Sequence, residues 1–144
     1  MIQRTRHLLV TGLIMVFGLI GSQVADSVSA EDFCINSAGD LVGALNEAAG
    51  NNEDDVIRVV RGTYLTPGIP FTYFGVQEEY GLELLGGYAE QCASRILDPT
   101  NTILDGQNSN QVIEITPVNT TFGDFLFQGF TVQNGTAPSF DTGG

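Results

Sequence analysis

Between Asp55 and Gly135 the apolar residues come in short runs, and four of these runs close on glycine. They are IRVVRG (57–62), LELLGG (82–87), NTILDG (101–106) and FTVQNG (130–135). Three follow the frame apolar-x-apolar-x-x-Gly, while the run at 101–106 carries Asn101 where an aliphatic belongs. Period-two alternation of β-branched and aromatic residues predicts short strands. VIEI (112–115) and FLF (125–127) add two more candidates. Pro67, Pro70, Pro99 and Pro117 fall between runs, where a missing amide donor does little harm. The closing glycines step by 25, 19 and 29 residues, a mean of about 24. Short strands recurring at such a period predict a solenoid, with Ile57/Val59, Leu82/Leu84 and Phe130/Val132 stacked as ladders. A two-sheet sandwich is the rival, because it also spaces short strands with turns. Similar frames ending in similar turns favour the solenoid.

One segment has a different period. In SAGDLVGALNEAAG (37–50), Ser37 and Asp40 stand in a capping-box relation. Leu41, Ala44 or Leu45, and Ala48 recur at helical spacing, with Gly50 placed to end the helix and Asn51-Asn52 to turn the chain. The expectation is one small helix laid over an edge or open end of the strands.

The N-terminus changes the setting in which this fold is read. Arg4, Arg6 and His7 precede an apolar run of 13 residues, Leu8 to Ile20, and Val28-Ser29-Ala30 follows. That is the layout of a secretory signal peptide cleaved between Ala30 and Glu31. The alternative, an uncleaved membrane anchor, needs about 18 or more apolar residues. The chain is therefore read as signal peptide (1–30), lead and capping helix (31–55) and stacked strands (56–144), exported to the cell surface or beyond.

Removal of residues 1–30 leaves 114 residues with three arginines (58, 61 and 95), no lysine and 16 acids, a net charge of −13. Such a surface repels nucleic-acid backbones and anionic bilayers. The only histidine, His7, lies in the signal segment, and the remaining chain also lacks tryptophan. Histidine-based triads, His-ligated zinc and lysine Schiff bases are thereby excluded. Cys34 and Cys92 are an even pair in an exported chain, which reads as a disulfide across 58 residues; two independent buried thiols are the alternative.

Several stretches together carry a resemblance. Cys34 ahead of the alanine-rich segment, DDVIRVVRGTY (54–64), LLGGYAEQCASR (84–95), DPTNTILDG (98–106) and GFTVQNG (129–135) resemble the N-terminal region of secreted bacterial right-handed parallel β-helix proteins. That group shares its architecture with pectate lyases and polymorphic outer-membrane proteins. The resemblance spans nearly all of 33–135. It implies an all-β, right-handed parallel β-helix, with the helix at 37–50 capping the first of roughly four coils. Relatives of this kind run on through more coils, so the ending DTGG (141–144) reads as a fragment or truncated product, with an unusually short member as the alternative, and further coils of its own longer chain are expected partners.

The function expected is a non-enzymatic extracellular or cell-surface module for adhesion or glycan contact, with a polysaccharide or surface glycan as partner. The alternative is the N-terminal cap of a polysaccharide lyase or glycoside hydrolase whose catalytic residues lie beyond residue 144. For lyase chemistry the resemblance implies a basic residue beside acidic calcium ligands, and the bases are limited to Arg58, Arg61 and Arg95. Glu83, Asp105 and Glu114 are the carboxylates from which a hydrolytic pair would be drawn. Glu53, Asp54 and Asp55 are the calcium candidates, read first as a solvated turn. Asp105 to Asn110 is read as an Asp-Gly turn rather than a calcium loop, because Thr116 stands where a closing Glu belongs. Tyr64, Tyr73, Phe74, Tyr80 and Tyr88 stack on sugars if exposed and pack internally if not. No residue is assigned as catalytic or cofactor-binding, and no cofactor beyond calcium is expected.

Overall fold

The glycine-closed runs form strands, but not successive copies of one wall. The computed structural model describes residues 31–75, 80–117 and 123–137. Its elements are β1 (Glu31–Ile35), α1 (Ala38–Ala48), β2 (Asp55–Val60), β3 (Gly62–Leu65), β4 (Phe71–Gly75), β5 (Leu82–Tyr88), β6 (Thr102–Asp105), β7 (Ile113–Pro117), β8 (Phe125–Gln128) and β9 (Thr131–Gln133). Among the described residues the strands pair into three parallel sheets: β1-β2-β5-β8, β3-β6-β9 and β4-β7.

The helix forms where the sequence places it. Ser37 caps α1 from an extended conformation, and its Oγ accepts from the Asp40 amide at 3.1 Å, which satisfies one of the free amides of the first turn. Leu41, Ala44, Leu45 and Ala48 are all buried, and the helix packs most heavily on β4, then on β1 and β2. Its C-cap is Ala49, one residue before the expected Gly50.

Alternation explains the core. Along β2, Asp55, Ile57 and Val59 turn inward, and Leu82 and Leu84 of β5 sit beside Asp55 and Ile57 in register. Phe71 and Tyr73 of β4, Tyr64 of β3 and Leu104 of β6 complete one cluster with the apolar face of α1. Tyr64 is a pillar of that cluster: only 3% exposed, its hydroxyl donates to the carbonyls of Val60 (2.8 Å) and Ile35 (3.2 Å). Burial, and then the negative charge of Asp40, pushes its pKa from 10.0 up to about 12.

This mixed α/β arrangement corrects the all-β right-handed parallel β-helix expected from the sequence. Parallel strands are present, yet among the described residues they form short sheets of four, three and two strands, and helix α1 contributes its apolar face to the common core. The four glycine-closed runs do not share a wall. Those at 57–62 and 82–87 pair in the first sheet, and those at 101–106 and 130–135 pair in the second. No single period of about 24 holds: along the first sheet Glu31 pairs with Asp55, Asp55 with Leu82 and Leu82 with Phe125, steps of 24, 27 and 43 residues. Val132 accordingly pairs with Leu104, not with a rung of the Ile57/Leu84 ladder.

The double glycine of β5 has a steric cause. A Cβ at Gly86 would meet the carbonyl of Gly129, and one at Gly87, where φ is +94°, would meet the carbonyl of Ile96. The chain after β5 therefore lies directly on the strand. Cys92 in that segment is bonded to Cys34 of β1, Cα to Cα 5.9 Å, so the expected disulfide is present. It points to a non-cytoplasmic setting. Among the described residues no helix is long and apolar enough to cross a membrane. The expected signal segment, residues 1–30, lies outside the described residues.

Candidate functional site: an acidic cleft at the head of the first sheet

Strand register assembles a site that no stretch of sequence announces. At the head of the first sheet, Asp54 precedes β2, Gly81 precedes β5 and Asp124 precedes β8. The three starts are tied together. The Asp55 amide donates to the Gly81 carbonyl (2.9 Å), the Leu82 amide to the Asp124 carbonyl (3.0 Å), and the Gly81 amide to Asp54 Oδ1 (2.7 Å). Val56, Glu83 and Leu126 are in register on adjacent strands, and alternation sets them on the outer face. Together with Asp54, Asp55, Gly81, Asp124 and Phe125 they line an open cleft of about 560 Å³.

The cleft has two chemistries. Glu83, Asp54 and Asp124 are exposed carboxylates. Val56, Phe125 and Leu126 form an apolar floor, with Phe125 42% and Leu126 40% exposed. Carboxylates accept hydrogen bonds from hydroxyls or ammonium groups, whereas aliphatic and aromatic surface takes up C–H faces. Such a lining repels polyanions and offers acceptors to hydroxyl and ammonium donors.

The calcium candidates are drawn to separate tasks. Asp54 holds the Gly81 amide. Asp55 is 2% exposed and accepts from Asn51 Nδ2 at 2.8 Å, while the same Asn51 amide reaches Glu31 Oε2 at 3.2 Å. Glu53 is half-buried, and its backbone amide donates to Asn51 Oδ1. Among the described residues no group of three or more His, Cys, Asp or Glu side chains is placed to hold a metal ion.

Of the three hydrolytic candidates, Glu83 stands on the first sheet, Asp105 on the second and Glu114 on the third, so the fold does not bring them together. Asp105 instead fastens a turn. It accepts from the Gln107 amide (2.7 Å), Gln133 Nε2 (2.9 Å) and Asn134 Nδ2 (2.9 Å). These bonds, the Gln107 amide first, hold its carboxyl below the usual aspartate value.

The arginines gather elsewhere, at the far end of the first sheet. Arg58 pairs with Asp32 at 3.0 Å and lies 6.0 Å from the centroid of the Tyr88 ring, while Arg95 lies 5.5 Å from it. Arg95 also donates to the carbonyls of Gly86 (2.9 Å) and Gln128 (3.2 Å), which pins the disulfide-bearing segment to the sheet. Arg61 is exposed beside Asn36, Glu90 and Gln91. Of the aromatic candidates, Tyr64 and Tyr73 are core residues, Tyr80 and Tyr88 are half-buried and Phe74 is 53% exposed.

Gly81, Asp124 and Leu126 are not identifiable as site residues in the sequence, where Leu126 reads only as part of a strand, because the signal that joins them is register across 27 and 43 residues. Comparison with protein families, with curated proteins and with solved structures finds no match to this chain.

Proposed function

We propose that the protein is an exported, non-enzymatic module for adhesion or glycan contact, and that the cleft at the head of the first sheet is its contact site. The observation that carries this reading is the lining itself: Glu83, Asp54 and Asp124 around the apolar Val56, Phe125 and Leu126. A sugar ring offers the complementary pair of surfaces, hydroxyls at its rim and C–H groups on its faces. The disulfide supports an extracellular or cell-surface setting. Of the carboxylates Glu83, Asp105 and Glu114, which stand on three different sheets, Glu83 alone lines the cleft.

Calorimetric titration with a panel of neutral oligosaccharides tests this. At least one is expected to bind, and Glu83→Gln with Asp124→Asn should weaken it by about tenfold or more, since a hydrogen bond to a charged group contributes roughly 1.5–3 kcal/mol. Binding that survives both substitutions, or no binding to any neutral oligosaccharide, refutes the assignment.

A further inference from the structure

The Cys34–Cys92 bond lies where an outside thiol reaches it. Cys34 is exposed on β1, which among the described residues pairs with β2 alone. Cys92 is half-buried, and its sulfur lies 3.6 Å from the Arg58 carbonyl oxygen, which repels an incoming thiolate. Disulfides that are exposed or strained exchange with thiols, whereas secure structural ones resist them.

The backbone beside Cys92 supplies the strain. Gln91 and Cys92 are consecutive residues in the left-handed region, at φ +57° and +54°, and neither is glycine. Each conformation carries a steric penalty that a short segment sheds once the two sulfurs part.

The loop that carries Cys92 is closed without the disulfide. Tyr88 and Arg95 form an antiparallel bridge, the Ala89 amide donates to the Ser94 carbonyl (2.8 Å), and the Ile96 amide donates to the Gly87 carbonyl (3.0 Å). Arg95 fastens the same loop to the carbonyls of Gly86 and Gln128. Opening the bond therefore frees a few residues around Gln91 and leaves Cys92 close enough to Cys34 to re-form it.

We propose that Cys34 is a site of reversible S-thiolation, at which a small thiolate opens the Cys34–Cys92 bond while the domain stays folded. The incoming sulfur attacks Cys34 Sγ and forms a mixed disulfide there. The Sγ–Sγ bond breaks, and its electron pair leaves with Cys92 as a thiolate. Attack by Cys92 on the mixed disulfide expels the small thiolate and restores the starting bond. A second equivalent of thiolate instead displaces Cys34, so that the protein gains two electrons and the small thiol is oxidised to its own disulfide. Access selects Cys34 as the sulfur attacked, and the strain at Gln91 and Cys92 sets how readily the bond opens. The inference stands independently of what the cleft binds.

Glutathione serves as the probe. The full chain with its disulfide intact is equilibrated at neutral pH in buffers of reduced and oxidised glutathione, quenched with an alkylating reagent and mapped by mass spectrometry. Glutathione is expected on Cys34 and the alkyl group on Cys92, with the far-UV circular dichroism of the folded state retained. This readout needs no variant. Gln91→Gly removes the Cβ that penalises φ +57° and should lower the equilibrium constant for opening by at least about threefold. A bond that opens only at urea concentrations that unfold the chain overturns the proposal. So does glutathione found chiefly on Cys92, or an opening constant that Gln91→Gly leaves unchanged.

Discussion

Replacing Cys34 and Cys92 together by alanine should cost the protein much of its stability, and the size of the loss follows from the structure. The bond closes a loop with a sequence separation of 58. In the chain-entropy description such a loop restrains the unfolded chain by about 14 cal/mol/K, or about 4 kcal/mol at room temperature. One local feature works against the bond. Gln91 and Cys92 both adopt left-handed backbone, φ +57° and +54°, although neither is glycine. Each such residue costs about 1–2 kcal/mol, and a chain freed of the tie can relax there. At the lower end of that range the two residues together offset about 2 kcal/mol, so the net loss expected is about 2 kcal/mol. It should fall hardest on β1, which pairs with β2 alone and buries Ile35 as its only fully buried residue. Urea unfolding of the oxidised protein and of the double variant, followed by circular dichroism, measures it. A loss below about 1 kcal/mol would show that the loop is ordered without the bond, and the reasoning would fail.

Two further outcomes follow from single positions. Gly87→Ala places a Cβ against the Ile96 carbonyl at φ +94° and should destabilise by about 2 kcal/mol or more, read from the same urea curves; a loss under about 0.5 kcal/mol would contradict the close approach. Tyr64 has its pKa raised from 10.0 to about 12 in the folded chain, so the stability it contributes is whole below pH 10.0 and is lost as pH rises through about 12. Melting temperatures across that window should fall in the unmodified protein more steeply than in Tyr64→Phe; parallel curves would place the alkaline loss elsewhere.

Local signals were legible in the sequence and long-range ones were not. The helix could be read because its cap and its apolar stripe lie within 14 residues, Ser37 to Gly50. The disulfide could be read because two cysteines behind an N-terminus with the layout of a signal peptide leave few alternatives. The strands could be read from alternation, but not their partners. LELLGG and NTILDG look alike, yet β5 pairs with β2 and β8 while β6 pairs with β3 and β9. Glycine closes both for reasons a frame cannot distinguish: Gly86 makes room for the Gly129 carbonyl, and Gly106 for the Asn134 carbonyl. The cleft suffers the same limit. Glu83 was visible as a carboxylate on a strand, but its neighbours Val56 and Leu126 became neighbours only through register. Tyr64 reads in sequence as one of several aromatics, and its hydroxyl, shared between two carbonyls from β1 and β2, makes it a core pillar.

Amide chemical-shift mapping of the folded, oxidised protein with a neutral oligosaccharide that binds it tests the assigned contact site most directly. Saturable shifts are predicted at Val56, Gly81, Glu83, Asp124, Phe125 and Leu126, with the Arg58–Tyr88–Arg95 end of the same sheet unmoved. Shifts that concentrate at Tyr88 and Arg61 and spare Glu83 and Asp124 would contradict the account.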